Sequence, residues 1–265
     1  MSKFYTPIVL FLLSIFVYAN NEALASEPDL RKVKSPTPPT RCSTPEEIYE
    51  KNKHLLCTNS EEIKQADKFM NEAVERLEYY ATNEDDFKLC KKRSDPRTNV
   101  YKTKNKEGSK VKRTYYAVYD PDKCNEMINE LWDPDRANPF NNGDVKITRV
   151  YNPNLVMIQQ RYKKKFGSSQ RYFYALAKKV EISEDKTIIV MTSANINDHN
   201  PSKKEYKNTI VESANSFKTD IDSEEDIRKG KLKKTFVNIA GYLIEKNEWR
   251  VDIAYVESID GHTSF

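Results

Sequence analysis

From Ser60 onward the apolar positions are Ile63, Ala66, Phe69, Met70, Ala73, Val74, Leu77 and Tyr80. Steps of three and four put them on one face of a helix, and a one-sided apolar helix lies on a sheet. Asn59 or Ser60 is placed to cap it. Just upstream, Thr44-Pro45-Glu46-Glu47 carries the signals of another helix start: Thr44 to cap, Pro45 in the first turn and Glu47 to close a capping box. That first helix is expected to run to about Leu56.

Beyond this point the period shortens to that of strands. Phe87–Lys92, Asn99–Lys104 and Lys112–Tyr119 are short, rich in aromatic and β-branched residues, and separated by polar turns, one holding Gly108. Asp120-Pro121-Asp122 ends the third strand and opens a helix over Cys124–Trp132, whose apolar side is Met127, Ile128, Leu131 and Trp132. A meander follows, with strands at Val145–Tyr151, Leu155–Tyr162, Arg171–Ile182 and Thr187–Ala194. Asn195–Lys234 is too long and too charged for an ordinary loop. It reads as an insertion flanking the sheet, helical over Lys204–Phe217. Two final strands, Thr235–Ile244 and Arg250–Ser258, end the pattern. The order predicts an α+β fold in which a large curved antiparallel sheet grips its helices.

Composition changes little in this picture. Of 265 residues 38% are hydrophobic, enough for a core, and 44 basic residues against 40 acidic leave a net charge of +4, too balanced to argue for nucleic acid. The N-terminus changes more. Lys3, the short apolar run Ile8–Tyr18 and Ala23-Leu24-Ala25 before Ser26 read as a signal peptide over residues 1–25, with an uncleaved anchor as the alternative. No later segment approaches the roughly 20 apolar residues of a membrane span. A Pro- and Lys-rich linker, residues 26–43, leads into one domain, 44–265, and the mature chain is expected to be secreted. That route permits disulfides. Of the four cysteines, Cys57 and Cys90 flank the long helix and are the candidate pair, free buried thiols being the alternative.

Enzyme signatures are missing. There is no G-x-S-x-G, H-E-x-x-H, Walker A or G-x-G-x-x-G motif and no C-x-x-C spacing. A non-enzyme without metal or cofactor is expected. Gln159–Tyr174 is basic and aromatic, and its lysines fall at a turn, where charge solubilises or meets anionic headgroups; nucleic acid is not expected. Two cations stand on apolar strand sides: Arg149 beside Val145, Ile147 and Tyr151, and Arg161 beside Leu155, Met157 and Gln159. Each needs a partner, either a carboxylate of the chain or the phosphate of a bound lipid. Arg149 and Arg161, with Trp132, Tyr151, Tyr172, Tyr174 and Tyr242, make the candidate lipid-binding set; each aromatic also reads as plain core.

The strings IIVMTSAN (188–195) and FVNIAGYLIEKNEWRVDIAYVESIDG (236–261) resemble the late strands of START lipid-transfer domains, with Gly241-Tyr242-Leu243-Ile244 and Asp260-Gly261 at the marker places. PEEIYEKNKHLLCTN (45–59), VYNPNLVMIQQRYKK (150–164), TSANINDHNPSKKEYKNTI (192–210) and KLKKTFVNIAGYLIEK (231–246) resemble the fam-a proteins of Plasmodium. The resemblance implies a secreted START-like protein, exported toward the host erythrocyte or the parasitophorous vacuole. It implies a phospholipid ligand, phosphatidylcholine, and transient membrane contact. An exported interaction protein that has lost transfer is the alternative. START domains close with a long C-terminal helix, and a domain lacking that helix is expected, since the sequence stops at Phe265.

Overall fold

A computed structural model of the chain describes residues 43–92, 100–104, 108–136, 143–164 and 166–261. All of them lie in the compact unit Arg41–Phe265. The expected signal peptide and nearly all of the linker lie outside the described residues.

Helix α1 (Pro45–Lys51) starts as its sequence predicts. The Thr44 hydroxyl accepts from the Glu47 amide at 3.3 Å and the Glu47 carboxylate accepts from the Thr44 amide at 2.9 Å, a reciprocal capping box. It is shorter than expected, because Asn52 ends it and a 3-10 turn, Lys53–Leu55, follows. Helix α2 (Ser60–Thr82) is capped by the Asn59 side chain, which accepts from the amides of Glu61 and Glu62. Helix α3 is Cys124–Trp132 and the short α4 is Glu225–Arg228.

The strands are β1 (Lys88–Lys91), β2 (Val100–Lys104), β3 (Lys110–Val118), β4 (Gly143–Asn152), β5 (Leu155–Tyr162), β6 (Arg171–Ser183), β7 (Lys186–Thr192), β8 (Asn195–Asn197), β9 (Lys218–Asp220), β10 (Lys233–Lys234), β11 (Phe236–Lys246) and β12 (Val251–Asp260). The main sheet runs β1-β2-β3-β12-β11-β7-β6-β5-β4, and β10 adds to β6 in parallel. Apart from β10, its neighbours are antiparallel. The terminal hairpin β11–β12 therefore sits at the centre of the sheet, joining the first three strands to the meander.

Both faces of this sheet are apolar. On the first, Phe69, Met70, Ala73 and Leu77 of α2 pack with Leu176, Ile188, Val190, Ile239 and Leu243. Burying side chains of this size stabilises by roughly 1.5–3 kcal/mol each, which is what fixes α2 to the sheet. On the second face, Ile48 of α1 and Cys124 and Trp132 of α3 pack with Phe173, Ile189, Val237, Tyr242, Ile253 and Tyr255. The expected α+β helix-grip class is what the chain adopts.

The insertion is not helical over 204–217. Asn208 redirects it: its side-chain oxygen accepts from the amides of Ile210 and Val211, while its amide group donates to Thr192 and to the carbonyls of Ser193 and Asn238. An Asx-type turn of this kind competes with helix hydrogen bonding, and only a 3-10 turn, Glu212–Asn215, forms. Through Ile210, Val211, Ala214, Phe217, Ile227 and Leu232 the insertion extends the core of the first face.

Cys57 and Cys90 are free thiols, as is Cys124, so the expected bridge is not formed. Cys57 donates its amide to Val150 on β4, and Cys90 lies in β1. These strands are the two opposite edges of the sheet, whereas a disulfide needs Cα atoms within about 7 Å.

Candidate functional site

Strand parity and packing sort the seven candidate residues onto two different faces. Tyr151, Tyr172 and Tyr174 belong to the core of the first face, under α2 and the insertion, and Trp132 and Tyr242 to that of the second. Arg149 and Arg161 point the same way as Tyr151. Arg149 does not share a side with Val145 and Ile147 as expected, because a bulge between Ile147 and Arg149 inverts the parity of β4.

On the first face both arginines find carboxylates of the chain itself. Arg149 pairs with Glu62 in the first turn of α2 at 2.6 Å and donates to the Asp220 carbonyl at 2.8 Å. The Tyr151 hydroxyl donates to the same Glu62 at 2.8 Å. Burial works to lower the Arg149 pKa, but the Glu62 contact outweighs it and the net shift is upward. Burial, then Glu62, pushes the Tyr151 phenol far above its usual range. Arg161 makes a fork with Asp226 at 2.7 and 2.9 Å and reaches Glu224 at 3.3 Å. The Tyr172 hydroxyl donates to buried Asp198 at 2.8 Å, and the Tyr174 hydroxyl accepts from Gln159 at 2.6 Å. Burial raises the Tyr174 phenol to about 12. These groups are satisfied within the chain, and they clamp α2 and the insertion to the sheet.

The second face is different in kind. Its apolar layer is broad, with Ile158, Phe173, Ile189, Met191, Ala240, Ile244 and Ile253 among its members. Among the described residues, the helices packed against it are only α1, its trailing 3-10 turn and α3. These two short helices are tied together: Asp133, after α3, accepts from the Ser43 amide before α1, and Lys51 pairs with Asp135 at 2.5 Å.

Polar atoms enter this layer at few points. Tyr162, Tyr242 and Tyr255 bring phenols, and the parity of β5 puts fully buried Gln160 on the same face. Tyr242 and Tyr255 pack with ring centroids 5.2 Å apart. Trp132 is 7% exposed, and its indole nitrogen is buried with no hydrogen-bond partner among the described residues. A buried donor left unmade is expensive, and most native structures avoid it. Sequence reasoning had named Trp132 and Tyr242 but missed Gln160, Tyr162 and Tyr255. The signal was present as the alternation Ile158, Gln160, Tyr162.

Among the described residues of this layer, no nucleophile is hydrogen-bonded to a base. What the second face offers is a buried apolar layer with a few fixed polar atoms.

No family model matches the chain, and no curated protein matches it in sequence. Among solved structures it is similar to human StAR-related lipid transfer protein 5, with a TM-score of 0.52 at 13% identity over 76% of this chain and 85% of that one. It is also similar to human STARD10, with a TM-score of 0.49 at 12% identity over 72% and 68% of the two chains. The first of these carries the assignment: the chain has a START-like helix-grip fold. At such identity the likeness speaks for the fold and no further.

Proposed function

We propose that this protein binds a phospholipid on the second face of its sheet and carries it between membranes. The observation that supports this most directly is the Trp132 indole N–H, a buried donor without an acceptor among the described residues, in a largely apolar layer. A phosphodiester or ester carbonyl of a lipid would supply that acceptor, with acyl chains along Ile189, Ile244 and Ile253. The fold shared with a lipid transfer protein supports the same reading. The fam-a resemblance supports phosphatidylcholine as the lipid and a secreted, exported protein as its carrier. Catalysis plays no part in the mechanism, which is shielding of the chains from water.

Arg149 and Arg161 are not assigned to the headgroup. Both lie on the opposite face, and both already hold carboxylates.

The test is to purify the mature chain, extract it, identify co-purified lipid by mass spectrometry, and follow phosphatidylcholine transfer between vesicles. A folded protein with neither bound lipid nor transfer would overturn the reading. It would leave the alternative, an exported interaction protein that keeps the fold alone.

A further inference from the structure

A strong concentration of unpaired charge lies at the end of the sheet where β5 turns into β6. Lys163 and Lys164 are exposed there, and Phe166, in the same turn, is 108% exposed, the most exposed of the large hydrophobic side chains described. A second basic segment, Arg228-Lys229-Gly230-Lys231-Leu232-Lys233-Lys234, arrives from more than fifty residues away. The parallel pairing of β10 with β6 brings it in, setting Lys233 opposite Arg171, with the Lys233 amide donating to the Gln170 carbonyl at 2.8 Å. Buried Leu232 pins the segment to the core.

Four acids around the second segment are already engaged, whereas Asp144, opposite Arg161 on β4, is exposed and holds no cation among the described residues. Asp222 holds Arg228, Glu225 holds Lys229, Asp198 holds Lys234 and Asp226 holds Arg161. Lys163, Lys164, Lys231 and Lys233 are all exposed and have no carboxylate partner among the described residues. Elsewhere half-buried cations are paired, as Lys112 is with Glu257 and Lys186 with Glu78.

We infer that Lys163, Lys164 and Phe166, between β5 and β6, form with the 228–234 segment a docking surface for an anionic membrane. The four free ammonium groups match a negatively charged headgroup layer, whose attraction falls off within a Debye length. Phe166 supplies what a purely electrostatic patch lacks, an apolar ring that enters the acyl boundary beneath the headgroups. A nucleic acid would match the charge but offers no hydrocarbon for an isolated phenyl ring at a loop tip. The inference does not depend on the chain carrying lipid.

The experiment is co-sedimentation of the full chain with phosphatidylcholine vesicles, with and without phosphatidylserine. Binding is expected with phosphatidylserine and is expected to weaken as salt rises. Each of Lys231→Ala and Lys233→Ala should weaken it about fivefold, and Phe166→Ala by a similar factor while changing the salt dependence little. These positions are exposed, so folding, checked by circular dichroism, is not at risk. Absence of binding to phosphatidylserine vesicles at low salt, or wild-type binding by all three variants, would overturn the inference. So would tight binding of a single-stranded oligonucleotide that displaces the vesicles and is indifferent to Phe166→Ala, since the surface would then serve nucleic acid. A chain that docks but transfers no phosphatidylcholine would count against the proposed carrier function and leave the docking surface standing.

Discussion

The guanidinium of Arg113 lies 4.1 Å from the centroid of the Phe87 ring. From there its Nη1 donates to the carbonyls of Tyr80, Ala81 and Asn83, the orphaned acceptors at the C-terminal end of α2. A cation here also meets the negative end of the helix dipole. Arg113 is 3% exposed and pairs with no carboxylate among the described residues; Tyr115 adds a second aromatic wall at 5.1 Å. Burial pulls its pKa down, and the aromatic faces and carbonyls stand in for the missing anion.

Replacing this group should therefore be costly. Arg113→Met keeps much of the volume but leaves three carbonyls without their donor, and is expected to destabilise by about 2–4 kcal/mol. Arg113→Lys should recover only part, because an ammonium lacks the planar fork. Urea unfolding reads both, as a shift of midpoint at constant slope. A Met variant within experimental error of wild type would show that α2 is held by its apolar face alone.

Trp132 makes the opposite kind of prediction. Its indole N–H has no hydrogen-bond partner among the described residues. Trp132→Phe removes an unsatisfied donor while keeping an aromatic ring in the second-face layer, so stability should change by less than about 1 kcal/mol. Affinity for phospholipid should fall about tenfold, the worth of one hydrogen bond in a dry site. Stability and binding would be uncoupled, as no purely structural tryptophan allows. Equal losses in both would place Trp132 in the core and nowhere else.

How legible was this in the sequence? The long helix was read almost to the residue, because a stripe of eight apolar positions at helical spacing has one physical interpretation. Most strands followed from alternation and turn chemistry. Parity, though, is fragile. One extra residue in β4 carried Arg149 to the other face from Ile147, and a bulge leaves no reliable mark in composition. Arg149 and Arg161 were recognisable as cations in need of partners. Their partners, Glu62 and Asp226, lie 87 and 65 positions away, and no local pattern points to them. The same applies to Cys57 and Cys90, which a helix separates along the chain and the whole width of the sheet separates in space.

The Arg161–Asp226 fork has a consequence in acid. The Arg161 hydrogen bonds hold the Asp226 carboxyl below its usual value, burial opposing them. A depressed folded-state pKa stabilises above the unfolded value, and the contribution is lost as pH falls through the folded one. The unfolded value is near 4, so the loss should set in as pH falls below about 4. The pair is partly solvated, which limits the effect to below about 1 kcal/mol. Asp226→Asn should flatten this limb of the stability profile measured by urea midpoint. An unchanged acid limb would mean the carboxyl titrates alike in both states.

Gly241, in β11, has a steric reason to be glycine. It pairs with Val190 on β7 and Val256 on β12, at the centre of the sheet. A Cβ there would lie 2.2 Å from the Ile189 carbonyl oxygen and 2.8 Å from the Val190 Cα, and both are backbone atoms of a central strand. Neither can move without breaking the β7–β11 ladder. Gly241→Ala is expected to destabilise by at least about 2 kcal/mol, in the range of overpacked cores. Gly167 is the control. It sits at φ +74 with nothing within 4 Å of its built Cβ, so Gly167→Ala should cost only the left-handed backbone penalty of about 1 kcal/mol. Thermal or urea unfolding of the two variants, side by side, separates close approach from backbone preference. Equal losses would mean that the crowding at Ile189 relaxes more easily than a paired central strand should allow.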